Sequence, residues 1–273
     1  MFSMPLPIDL VLVRHGTSEG NAAKRRSEKG DHSAIKLLHG RHTASFRLTE
    51  QGRRQAAQAG AWLRKEFYPT YGFDRFYASE YARALETAGL LGLPNVKWYT
   101  DFYISERDWG ELDVLPEDER QEKFGEALRM RDTEPFFWAP PNGESFANLC
   151  LRIDRMLATL ARECSNKKVV IVCHGEVMWA FRIRLERMSK ELFKELHLSK
   201  DERHKIHNCQ IIHYSRRDPH DPRLGPHQYY QWMRMVRPTQ TPVFEGEWQK
   251  IIRRSYTNEE LLEMVSKTPA LVA

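Results

Sequence analysis

The chain has 273 residues, which suits one large α/β domain, or a domain of about 200 residues with an appendage, and excludes two full-sized independent domains. Hydrophobic residues make up 41% and charged residues 29%, with seven Trp, ten Tyr and thirteen Phe, so wholesale disorder is excluded. No apolar run approaches the roughly 20 residues of a membrane span, and forty-two basic against thirty-seven acidic side chains leave a mild net charge of +5.

In chain order, Met1 to Pro7 lacks the basic start of a secretory leader, and the reading is a soluble cytoplasmic protein. Ile8 to Val13 is a short aliphatic run of the kind buried on both faces of a sheet, ending at Arg14-His15-Gly16. The segment 24–47 carries seven basic and two acidic side chains, a net +5 equal to that of the whole chain, and has no sustained apolar period. It reads as a long basic loop inserted between a strand and a helix. Thr49 is the expected N-cap of a helix to about Phe67, in which Ala56, Ala59, Leu63 and Phe67 share one face. A second strand is expected at Phe73 to Ala78, then Ser79 as cap of a helix through Leu91, then a short strand at Val96 to Tyr99.

The stretch from Asp101 to Asn142, rich in proline and aromatics, reads as an excursion over the sheet, helical from Glu117 to Arg131. Glu144 to Cys164 has helical apolar spacing, and Lys168 to Cys173 is the strongest strand, ending at His174-Gly175 before another helix. The alternation predicts an α/β three-layer sandwich, with a mainly parallel sheet and helices on both faces. The expected division is a catalytic domain at 1–218 and a C-terminal extension at 219–273, linked through the Asp-Pro-rich 219–226 and packed on the domain through its aromatics. Cys150, Cys164, Cys173 and Cys209 form no C-x-x-C pair and no dense framework, and read as reduced thiols.

Two strands ending in the same His-Gly dipeptide bring two imidazoles to one rim, because ligands bind at the carboxyl ends of parallel strands. A glycine after each leaves room for backbone to approach a ligand. Neither histidine has metal-ligand spacing, no nucleotide-binding glycine loop is present, and Gly143-Glu144-Ser145-Phe146-Ala147 lacks the second glycine of a nucleophile elbow. The remaining chemistry is attack on phosphorus by a histidine. Arg14 beside His15 and Arg83 at the next helix start supply guanidinium forks that match phosphate oxygens. His15 needs one nitrogen unprotonated and the other held as a donor, for example to a backbone carbonyl. Glu106 is the candidate proton donor, its acidity weakened by an adjoining aromatic surface, with Asp108 as the weaker alternative.

The motifs Leu12-Val13-Arg14-His15-Gly16-Thr17-Ser18-Glu19-Gly20-Asn21, Leu48-Thr49-Glu50, Ser79 to Ala88, Glu106-Arg107-Asp108-Trp109-Gly110 and Val172-Cys173-His174-Gly175 resemble, in that order, the histidine phosphatase superfamily, also called phosphoglycerate mutase-like. The resemblance covers about Ile8 to Arg217, roughly three-quarters of the chain, and leans to the phosphatase branches through Pro141-Asn142-Gly143-Glu144-Ser145. It implies a fold without metal or other cofactor, transient phosphorylation of His15, a phosphate pocket of Arg14, Arg83 and His174, substrate contact by Asn21 and proton donation by Glu106. Glycolytic mutases usually carry glutamate and tryptophan where this chain has Thr17 and Gly20, and the segment between Asn21 and Leu48 is longer than is common there.

The expectation is a metal-independent phosphomonoesterase for a small anionic phosphorylated substrate, with the basic segment drawing it in. A phosphomutase is the alternative within enzymes, and a silent binding module the alternative outside them. The near-neutral tail and the lack of RNA-binding signatures argue against a nucleic-acid partner, and no membrane partner is expected.

Overall fold

The computed structural model describes residues 4–269 apart from 69, 71, 222 and 267. Strand β1 (Asp9–Arg14) lies beside β4 (Lys168–Cys173), with Leu10 opposite Val169 and Arg14 opposite Cys173. Strands β2 (Arg75–Ala78) and β3 (Trp98–Thr100) continue the parallel array on the far side of β4. On the other side of β1 the sheet is antiparallel, through β5 (Ile211–Ser215), β6 (Trp232–Arg237) and the two-residue strands β7 (Phe244–Glu245) and β8 (Gln249–Lys250). The alternation of strands and helices did not reveal this antiparallel half. Among the described residues no helix lies between β5 and β6, so β6 has no crossover to return it parallel to β5.

The aliphatic runs are continuous because both faces of the sheet are covered. Leu10, Leu12, Val169 and Ile171 face α6 (Phe146–Cys164) and α7 (Gly175–Glu186), whereas Val11, Val13, Val170 and Val172 face α3 (Glu50–Phe67) and α4 (Ala82–Leu90). Thr49 caps α3 by accepting the Gly52 amide, and Ser145 caps α6 by accepting that of Asn148. Ser79 does not cap α4, which starts at Tyr81 without a side-chain cap. Its hydroxyl bonds His174 instead.

The basic segment is not a loop. It forms α1 (Glu19–Ser27), closed by a capping box between Ser18 and Asn21, and α2 (Ser33–Leu38). These helices are nine and six residues long, too short to show a period or to stand alone. They persist by burying Ala23, Ile35 and Leu38 with Phe46 in a small cluster of their own. Helix α5 (Glu117–Thr133) kinks at Phe124, and α8 (Lys190–Leu198) packs Phe193 into the main core.

After Asp218 the chain supplies β6 to the central sheet, with Met233 and Val236 in the cores on its two faces. The Trp62 indole donates to Glu245 at 2.8 Å, tying this region to α3. The last described element is α9 (Asn258–Ser266), which buries no residue. Among the described residues no helix is long and apolar enough to cross a membrane.

Candidate active site

Parallel pairing of β1 with β4 is what brings the two histidines together. The His15 amide donates to the Cys173 carbonyl at 3.0 Å, and the two imidazole centroids lie 5.1 Å apart. Gly16 is needed for packing rather than for a ligand, since a Cβ there would lie 2.4 Å from the Gly52 carbonyl oxygen in the first turn of α3. Gly175 lies against the Arg14 guanidinium, where a Cβ would sit 3.3 Å from it.

The His15 side chain is buried, and its Nδ1 lies 2.7 Å from the Gly16 carbonyl oxygen, which only a protonated Nδ1 can use. Nε2 accepts from the Arg83 Nε at 3.2 Å, so its lone pair points toward the cavity cations. Burial, then Arg83 and Arg14, hold the His15 pKa well below the usual imidazole value, and the ring is neutral. His174 is neutral for the same leading reasons, burial and Arg83, with His15 adding to them. Its Nε2 meets the Ser79 hydroxyl at 2.8 Å, and its Nδ1 has no partner and faces a Glu106 oxygen at 3.9 Å.

Arg83, on α4, also donates to the Thr43 carbonyl at 2.7 Å. Arg14 donates to the Ile206 carbonyl and leaves its buried Nε unpartnered. Both arginines remain charged at any working pH. Asn21 lines the same cavity, with its Oδ1 accepting from the Ser18 amide and from Asn208 Nδ2. All six residues expected from the sequence, His15, Glu106, His174, Arg14, Arg83 and Asn21, therefore lie at or beside one cavity of about 310 Å³ at the carboxyl edge of the sheet. Asp108 is exposed and accepts the Gly110 amide in a turn, outside that cavity.

Glu106 has a side chain 17% exposed, and burial, followed by the charge of Glu176, pushes its pKa up to about 7. The leading causes are thus desolvation and a second carboxylate. The segment carrying Glu106 is pinned by Arg152, which donates to the carbonyls of Tyr103 and Ser105 at 2.6 and 2.8 Å and pairs with Glu144 at 2.8 Å. Arg107, sandwiched among Trp109, Trp138 and Phe146, donates to the Glu144 carbonyl at 2.6 Å and lies 3.5 Å from Glu176.

Sequence reasoning missed Glu176, Asn208 and Ser79 as site residues. Glu176 directly follows His174-Gly175, a position that would have flagged it. Asn208, which donates to the His15 carbonyl at 3.1 Å, lies in no motif.

His15, Glu106 and His174 place possible metal-ligand atoms within 4.8 Å of one another. This donor set suits an anion better than a cation, because the Arg14 and Arg83 guanidinium groups flank it.

Fold and cavity together define an α/β protein that presents a neutral imidazole pair, the buried Arg83, the half-buried Arg14 and a weakly acidic carboxyl group to an anion. The chain belongs to the histidine phosphatase superfamily (branch 1), whose family model matches residues 10–218. A 2,3-bisphosphoglycerate-dependent phosphoglycerate mutase of Azorhizobium caulinodans is 31% identical over 191 residues, covering 67% of this chain and 83% of the relative. Among solved structures, a mycobacterial glucosyl-3-phosphoglycerate phosphatase in complex with VO3 matches with a TM-score of 0.60 at 22% identity, over 76% of this chain and 92% of that one. The α-ribazole phosphatase of Shigella flexneri matches with a TM-score of 0.58 at 21% identity, over 77% and 91%. At these identities the solved structures speak for the fold. The family match leaves the strands and helix after Asp218 outside it.

Proposed function

We propose that the protein is a metal-independent phosphomonoesterase working through a phosphohistidine. The observation that carries this reading is the tautomer of His15: Nδ1–H is committed to the Gly16 carbonyl, leaving Nε2 as the nucleophile. A phosphoryl group bound between Arg14, Arg83 and His174 is attacked in line by Nε2. The phosphorus–nitrogen bond forms as the ester P–O bond breaks, and the arginine forks neutralise the charge on the equatorial oxygens. Glu106, protonated below about pH 7, gives its proton to the leaving oxygen. The resulting carboxylate then takes a proton from the water that attacks the phosphohistidine, releasing phosphate and restoring the acid. Asn21, held by Ser18 and Asn208, contacts the substrate from the mouth of the cavity.

A phosphomutase is the second reading, favoured by the names of the curated relatives near 30% identity. Hydrolysis is favoured by Gly20. A Cβ there would lie 2.8 Å from the Phe46 ring, so the inserted segment leaves no room at this position for the tryptophan usual in glycolytic mutases. The catalytic domain at 1–218 is extended by 219–273, whose β6 pairs with β5 in the same sheet. A reducing, cytoplasmic setting fits four cysteines that are all free and buried.

The deciding experiment incubates wild type and His15→Ala with a radiolabelled phosphate monoester in the presence of a chelator, with an alkaline quench. Label retained on wild type and absent from the variant, with release of inorganic phosphate, supports hydrolysis through His15. Activity lost on chelation overturns the metal-free mechanism. Transfer between hydroxyls stimulated by a bisphosphate primer, with little free phosphate, favours the mutase.

A further inference from the structure

The inserted segment leaves most of its cations exposed and turns three apolar side chains inward. Arg25, Arg26, Lys29, Lys36 and Arg41 are exposed, whereas Ile35, Leu38 and Phe46 are only 5%, 7% and 4% exposed and line the cavity. Trp109, Trp179 and Ile206 contribute further apolar lining from other parts of the fold. The cavity therefore joins His15 and the two arginines to a chamber with an apolar wall, of which Ile35, Leu38 and Phe46 form a contiguous part supplied by the insertion.

The cations that line this chamber are held by the protein, although the buried Arg120 Nε has no partner. Lys24 Nζ lies 5.7 Å from the Trp109 ring centroid, and Arg120 donates to the Leu112 carbonyl at 2.7 Å and lies 3.7 Å from Glu117. Asp113 and Glu176 also line the cavity, so a second anion would meet carboxyl groups as well as cations. An apolar group laid against Ile35, Leu38 and Phe46 carries no charge for these carboxyl groups to repel and gains the transfer free energy of its buried surface.

We propose that this chamber binds an apolar substituent on the alcohol part of the ester, and that the substrates are phosphate monoesters of apolar alcohols rather than of small hydroxy acids. The proposal deepens the phosphomonoesterase reading and rests on it for the position of the phosphate. It makes Ile35, Leu38 and Phe46 specificity-determining residues contributed by the inserted segment.

Nonhydrolysable alkylphosphonates test the chamber separately from turnover. Calorimetric Kd values for ethylphosphonate, hexylphosphonate and 3-phosphonopropionate are compared on the full chain, and kcat/KM is measured for ethyl and hexyl phosphate, whose alcohols have similar acidity. Each fully buried methylene is worth about fourfold, so hexylphosphonate is expected to bind at least about tenfold tighter than ethylphosphonate. The same preference is expected in kcat/KM. In Leu38→Ser and Phe46→Ser that preference shrinks severalfold, with thermal unfolding recorded to show that the variants are folded. If either fails to fold, the wild-type ligand series decides alone. Equal binding of the two alkylphosphonates, or tighter binding of 3-phosphonopropionate, overturns the apolar site. Turnover of both esters without preference overturns the site while leaving the phosphatase reading intact. Absence of both turnover and a phosphoenzyme overturns the phosphatase reading, and the binding series still decides the chamber.

Discussion

Replacing Glu106 by Gln tests the acid on which the leaving-group step depends. Its pKa is raised from 4.5 to about 7 by burial and by Glu176, so the folded protein holds this proton more tightly than the unfolded chain does. The stability contributed by the neutral acid is fully present below pH 4.5 and is lost as pH rises to about 7. At about 1.4 kcal/mol per unit, the ionised carboxylate costs the folded state at most about 3.5 kcal/mol above that range. Glutamine keeps the shape without the charge. Relative to wild type, Glu106→Gln is therefore expected to gain several degrees in Tm at pH 8 and almost nothing at pH 5. The same substitution lowers kcat/KM for alkyl phosphates by about 10²- to 10⁴-fold. An aryl phosphate bearing a nitro group should lose less than about tenfold, because its phenoxide leaves without a proton. In wild type, kcat/KM for alkyl esters should fall as pH rises through about 7. A Tm gain equal at both pH values, or equal losses with alkyl and aryl esters, would refute the assignment of Glu106 as a buried proton donor.

Three further outcomes follow from the same geometry. Arg83→Lys keeps the charge but loses the fork that reaches both His15 and the Thr43 carbonyl, and should lower kcat/KM by about 10²-fold or more in steady-state assays while the fold survives by circular dichroism. Gly16→Ala forces a Cβ against the Gly52 carbonyl and should destabilise the protein by about 1–3 kcal/mol in urea titration; an unchanged midpoint would mean that β1 and α3 are not in backbone contact at this point. Reversing the exposed charges of Arg25 and Arg26 to Glu should raise KM for an anionic ester at low salt and flatten its dependence on ionic strength; if neither changes, the basic segment does not steer substrate.

The sequence by itself determined that His15 and His174 follow two buried strands, since four-residue aliphatic runs that lead within one residue to His-Gly leave little choice of element. It also marked Arg14, Arg83, Asn21 and Glu106, because each sits in a short motif tied to a strand end, a helix start or a turn. What it could not determine depends on contacts between segments distant along the chain. The hydrogen bond from His15 to Gly16 is local, but the donor from Arg83 that leaves Nε2 as acceptor comes from another element. Likewise, Glu176 raises the pKa of Glu106 only because α7 and the segment before Trp109 share one cavity. The charge run after Asn21 illustrates the same limit. Its charges are visible in composition, but helices of nine and six residues exist only through tertiary burial of Ala23, Ile35, Leu38 and Phe46, and only that burial turned a basic stretch into an apolar wall.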